Sequence, residues 1–88
     1  MALVLKVDGS SKELHPKDGK FTLDELTDAV DGPIEIVGIG DALMVIDEEG
    51  KIKGKGYNRL ATQLASGFLF SGDYIAGTAI LVEPTEID

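Results

Sequence analysis

IEIVGIGDALMVI, residues 34–46, decides the fold. Two apolar runs, 34–39 and 42–46, meet at Gly40-Asp41, and this pattern predicts two adjacent strands joined in a tight hairpin. What flanks the hairpin settles what it packs against.

Upstream, Thr22 and Glu25 have the spacing of a capping box, and Phe21 stands where it can staple onto Leu26, so a helix is expected from about Leu23. Leu23, Leu26 and Val30 are expected on its apolar stripe, and Gly32-Pro33 ends it. Earlier still, Leu3, Leu5 and Val7 alternate with Val4, Lys6 and Asp8, the period of a strand with one face on a core. Asp8-Gly9-Ser10 turns that strand, KELH (12–15) forms a short return, and His15 to Gly19 reads as loop.

Downstream, DEEGKIKG (47–54) reads as a second turn and a short strand with Glu49-Gly50 at its tip. Asn58 is placed to cap a second helix carrying Leu60, Ala61 and Leu64 on one face and closed by Gly67. DYIAGTAILVE (73–83) is long and apolar, the pattern of a central closing strand. The fold class expected is α+β: one domain over 1–88 with a small mixed or antiparallel sheet of about five strands and two short helices.

Composition sets further bounds. A chain of 88 residues, 43% hydrophobic and 27% charged, has enough Leu, Ile and Val to fold. At this length a domain buries only roughly 60–65% of its unfolded surface. The absence of cysteine excludes disulfides and thiolate metal sites and fits a reducing cytoplasm. MALVLKVDGS (1–10) lacks a basic leader and is broken by Lys6, so no signal peptide and no membrane partner are expected. The net charge of −8 repels duplex nucleic acid unless one patch is locally basic.

Catalytic chemistry is poorly provided for. Nucleophile motifs are missing, and the single histidine, His15, lies before a proline without an identifiable partner. Asp47-Glu48-Glu49 and Asp24-Glu25 lack the alternation of a metal loop. Gly54-Lys55-Gly56 and Gly38-Ile39-Gly40 do not complete a dinucleotide or phosphate-loop pattern. The chain is therefore expected to be no enzyme, with no cofactor and no metal.

One stretch stands apart. KIKGKGYNRLAT (51–62) contains no acidic residue, and none occurs from Lys51 through Gly72. If 51–55 is extended, Lys51, Lys53 and Lys55 share one face and Ile52 turns to the core. A helix capped by Asn58 would add the free N–H groups of Leu60 and Ala61, and Arg59 a guanidinium suited to phosphate. Gly54 and Gly56 permit close approach, Tyr57 can stack on a base or sugar, and Thr62 with Ser66 offers hydroxyls. The ligand-binding residues expected are Lys53, Lys55, Tyr57, Asn58, Arg59 and Thr62, and such a segregated patch favours a small anion over long nucleic acid. The same residues also have a structural reading, in which the lysines protect an edge strand, Asn58 merely caps, and Arg59 pairs with a carboxylate such as Asp73.

GDALMVIDEEGKIKG, NRLATQLA and SGDYIAGTAILV together resemble a small domain-of-unknown-function family common in bacteriophages and conjugative plasmids. The matching positions are Gly40, Asp41, Asn58, Arg59, Ala61, Leu64, Gly72, Asp73 and Gly77. The resemblance implies an α+β fold and a mobile-element origin and assigns no activity. Small phage proteins often antagonise host defence, and two functions are expected on that basis. The first is sequestration of a small anionic, nucleotide-like immune signal at the basic stretch. The second is inhibition of a host protein by an acidic surface that mimics nucleic acid, carried by Asp24, Glu25, Asp28, Asp31 and Asp47 to Glu49. An exposed strand edge would support a homo-oligomer.

Overall fold

The computed structural model describes residues 2–87. Five strands form one sheet in the order β2-β1-β5-β4-β3, with β1 at Ala2–Leu5, β2 at Ser11–Leu14, β3 at Ile34–Ile39, β4 at Ala42–Asp47 and β5 at Ala79–Val82. All four pairings are antiparallel. Helix α1, Leu23–Val30, lies against one face and helix α2, Arg59–Ala65, against the other. A short 3-10 turn, Pro84–Glu86, follows β5.

The period of two divides the sheet between the helices. Ala2, Val45, Ile80 and Val82 pack with Phe21, Leu26 and Val30 under α1. Their neighbours Leu5, Met44, Ile46 and Ala79 pack with Ala61, Ala65 and Ile75 under α2. Central strands buried on both faces read as continuous apolar runs rather than alternating ones. β1 is such a strand: Val4 and Leu5 are both buried, whereas Val7, expected on the core, is 43% exposed beyond the strand's end.

The 34–46 hairpin forms as read, with Ile39 paired to Ala42 and Gly40 at φ +77° in the turn. The return strand β2 and the central place of the closing strand are also present. In α1 the capping box is complete: the Thr22 side chain accepts from Glu25 N and the Glu25 carboxylate accepts from Thr22 N. Leu23 shares the stripe of Leu26 and Val30 by its spacing but is 64% exposed, and burial begins at Leu26. The left-handed residue that terminates α1 is Asp31, at φ 60°, and not Gly32.

Three expectations fail downstream. No strand forms at 47–54 after β4. Instead, Lys53 N donates to Glu49 O, Gly54 N to Lys51 O and Lys55 N to Gly50 O, which coils the segment, and Ile52 stands 87% exposed. The closing strand occupies only Ala79–Val82, since 73–78 form a loop that joins the sheet through no strand pairing beyond an isolated bridge, Tyr57 to Ala76, and is tied instead to residues 56–62. On α2 the inward residues are Ala61 and Ala65, and Leu60 and Leu64 are 37% and 43% exposed. Small side chains spaced by four let the helix backbone sit close to the sheet, and the leucines flank that seam.

Candidate functional site

The basic stretch builds its geometry around a carboxylate. Asp47 ends β4 and is 4% exposed, a position that an acid holds only when paired. Its Oδ2 lies 2.6 Å from Lys55 Nζ and 3.0 Å from Lys53 Nζ, and its Oδ1 accepts from Glu49 N at 2.8 Å. Burial alone would raise its pKa, but Lys55, the Glu49 N–H and Lys53 together bring it from 3.8 to about 2. Asp47 in turn holds the Lys53 ammonium above its ordinary value.

The two lysines also close α1. Lys55 Nζ donates to Val30 O and Asp31 O, both at 2.8 Å, and Lys53 Nζ donates to Asp31 O at 3.2 Å. Cations at the negative end of a helix satisfy its unbonded carbonyls and its dipole. α1 has no basic residue in its own last turn, so these two lysines supply the charge from 22 to 25 positions away. Gly32 makes the approach possible, since a Cβ there would fall 2.5 Å from both Asp47 Oδ1 and Lys53 Nζ. Gly77, at φ +90°, similarly lies against the Lys55 stem.

The remaining residues of the stretch divide between buried and exposed. Asn58 is fully buried: its Nδ2 donates to Leu5 O and Gly77 O, both at 2.9 Å, and its Oδ1 accepts from Ala61 N at 3.1 Å. One amide thus caps α2 and joins it to β1 and to the loop before β5. Thr62 Oγ1 accepts from Ile75 N at 2.9 Å. Tyr57 stacks on Tyr74 with centroids 5.7 Å apart, and Lys51 lies over the Tyr74 ring and pairs with Asp73, the carboxylate that the structural reading gave to Arg59. Arg59 is exposed and has no ion pair among the described residues. Six residues expected to share one ligand therefore do not face one space; Tyr57 and Arg59 are exposed without an ion pair, and Lys53 is exposed but paired to Asp47.

Three other lysines do converge. α1 covers the middle of the sheet and leaves the outer part of β1 and β2 open, forming a groove of about 520 Å³. Val4, Leu14 and Ala29 give it an apolar floor. Lys6, Lys12, His15 and Lys17 stand along its strand side, and Glu25 and Asp28 along its helix side. The β1–β2 register sets Val4 opposite Lys12, and Lys6 N donates to Ser10 O just beyond, so Lys6 and Lys12 reach the same face. Among the described residues no carboxylate forms an ion pair with Lys6, Lys12 or Lys17. His15 lies 3.5 Å from Glu13.

Sequence reading misses this groove because its lysines are five or six positions apart, each beside an acidic residue or a turn. The one available signal was the hairpin of β1 on KELH, which predicts that residues 6 and 12 are close. Among the described residues no group of three His, Asp or Glu side chains could hold a metal ion, and no helix is long and apolar enough to cross a membrane.

Fold and groove define a small α+β domain with one antiparallel sheet between two helices and a charged cleft at its edge. The chain belongs to the family described as Domain of unknown function (DUF3846), which it matches over residues 1–88. No curated protein and no solved structure matches it.

Proposed function

We propose that this protein is a non-enzymatic binder of a small anionic ligand, and that the ligand enters the groove between α1 and β2 rather than the stretch at 51–62. The observation that carries this reading is the pairing of the lysines. Lys51, Lys53 and Lys55 are neutralised within the fold, whereas Lys6, Lys12 and Lys17 come from three segments to one open cleft without an ion pair among the described residues, Lys6 and Lys17 meeting Asp8 and Glu25 only at longer range. Like charges held together in a concavity raise the local concentration of anions and repel one another until one binds. A phosphate group accepts from several ammonium groups at once, and an apolar floor suits a sugar or a base above it. On this reading the ligand is nucleotide-like, and a mobile-element protein of this kind would act in a host cytoplasm by sequestering a nucleotide signal in counter-defence.

Calorimetric titration with pyrophosphate and adenosine monophosphate tests the assignment. The triple variant Lys6→Gln, Lys12→Gln, Lys17→Gln should lose at least about tenfold in affinity, since each exposed charge-assisted contact contributes roughly 0.5–1 kcal/mol. Wild type giving no heat with either anion would remove the ligand reading altogether.

Acidic mimicry of nucleic acid is the second reading, favoured by the inward turn of the 51–55 lysines, which leaves Asp24, Asp28, Asp31, Glu48 and Glu49 displayed. Asp47 drops out of its determinants because it is buried, while Glu25 is engaged in part by Thr22 N and Lys17 N and Glu49 by Lys53. A homo-oligomer would form through the β3 edge, where IEIVGI carries one charge in six residues, and not through the charged β2 edge. Light scattering that returns a monomer mass at all working concentrations would exclude it.

A further inference from the structure

The groove is two-sided, and its helix side restricts what the ligand can be. Glu25 is partly engaged: its Oε1 accepts from Thr22 N at 3.0 Å and its Oε2 from Lys17 N at 3.3 Å, which fixes its carboxylate against the backbone. Asp28, one turn further along α1, is exposed and takes part in no hydrogen bond or ion pair among the described residues, yet it lines the same cleft as Lys6, Lys12 and Lys17. Two carboxylates, Glu25 tied to backbone N–H groups and Asp28 unbonded, and three ammonium groups thus border one space with no ion pair between them. A simple anion would gain from the lysines and lose to Asp28; a ligand that places an N–H donor against Asp28 turns that loss into a charge-assisted bond.

We infer that the groove selects a bipolar ligand, with a phosphate on the lysine side and an amino group donating to Asp28, the chemistry of an aminopurine nucleotide. Asp28 is then the specificity-determining residue and the lysines supply most of the affinity. The cleft's 520 Å³ accommodates a mononucleotide lying across the apolar floor of Val4, Leu14 and Ala29. This inference rests on the groove being the anion site.

The test compares adenosine monophosphate with purine riboside monophosphate, which lacks only the exocyclic amino group, and uses pyrophosphate to report the lysine side alone. Wild type should prefer the amino compound by about five- to tenfold. Asp28→Ala, at an exposed helical position that alanine suits, should abolish that preference and leave pyrophosphate binding equal or tighter. Pyrophosphate binding without any preference between the nucleotides, or an equal loss of both in Asp28→Ala, would overturn the inference and leave the groove as an anion site. No binding of any of the three would overturn both.

Discussion

Residues 51–59 and the lysines at 6, 12 and 17 present the same charges in opposite ways. The first group is contiguous and without acid, so it reads as a site, yet its ammonium groups end on Asp47, Asp73 and the last carbonyls of α1. The second is scattered among acidic residues and reads as solvated surface, yet strand register and a loop gather it along one cleft. Local excess of one charge describes the chain before folding; what matters for a ligand is which charges remain unneutralised afterwards. In an acidic protein a buried carboxylate is the stronger competitor for nearby lysines, because leaving it unpaired in the interior costs several kcal/mol.

If the 51–59 region is structural, its variants should lose stability, and the deepest loss belongs to Asn58→Ala. That change leaves Leu5 O, Gly77 O and Ala61 N without their partner in a fully buried setting. Losing three buried bonds, one of them the cap of α2, should cost about 3–4 kcal/mol, read in urea melts as a lower midpoint. An Asn58→Ala protein as stable as wild type would break the contrast at its strongest point.

Asp47→Ala should cost about 2–3 kcal/mol, less than a fully buried ion pair, because Lys53 remains partly exposed and both lysines keep their helix carbonyls. The same carboxylate sets a pH signature. Its pKa is about 2 in the folded chain against 3.8 ordinarily, so between these values the unfolded chain binds more protons and stability rises with pH. The contribution is complete above about pH 4 and lost as pH falls toward 2. Asp73 and Glu25, depressed by Lys51 and by the Thr22 N–H respectively, act in the same sense but at exposed sites, where solvent weakens them. Acid titration of Asp47→Asn should therefore give a flatter curve than wild type.

The groove lysines should behave in the reverse manner. Lys6→Gln, Lys12→Gln and Lys17→Gln, taken singly, should each move stability by no more than about 0.5 kcal/mol, since exposed side chains without partners contribute little to the fold. Chemical denaturation checks this, and a loss above 1 kcal/mol at any of the three would mean that the cleft, too, is built for stability.

Much of this was legible in the sequence. The hairpin, the Thr22–Glu25 cap, β2 and the central closing strand follow from local signals: two periodicities and a side chain able to reach its own backbone. The errors share one cause. Lys51, Lys53 and Lys55 alternate with small or apolar residues, which is strand periodicity, but Asp47, buried at the end of β4, draws 53 and 55 back across the sheet end. Leu60 and Leu64 are larger than Ala61 and Ala65, so they look like the core face, yet close helix approach selects the alanines. Each outcome turns on a partner more than a few residues away, beyond what periodicity records.

Arg59→Ala is the smallest expected effect and the sharpest discriminator between the two regions. Arg59 is the only arginine, sits at the first position of α2, and is the member of the basic stretch left without an ion pair among the described residues. A cation at a helix N-terminus opposes the dipole, so its removal should leave stability unchanged or raise it by a few tenths of a kcal/mol, about 0.3. If the groove is the anion site, pyrophosphate and adenosine monophosphate should bind Arg59→Ala as they bind wild type. If the stretch at 51–62 holds the ligand after all, Arg59 and Tyr57 are the groups still facing solvent there, and losing the guanidinium should weaken binding by about tenfold or more. The measurement is decisive because neither outcome is confounded by unfolding: at physiological salt an exposed side chain without an ion pair changes affinity tenfold only when it lies against the ligand.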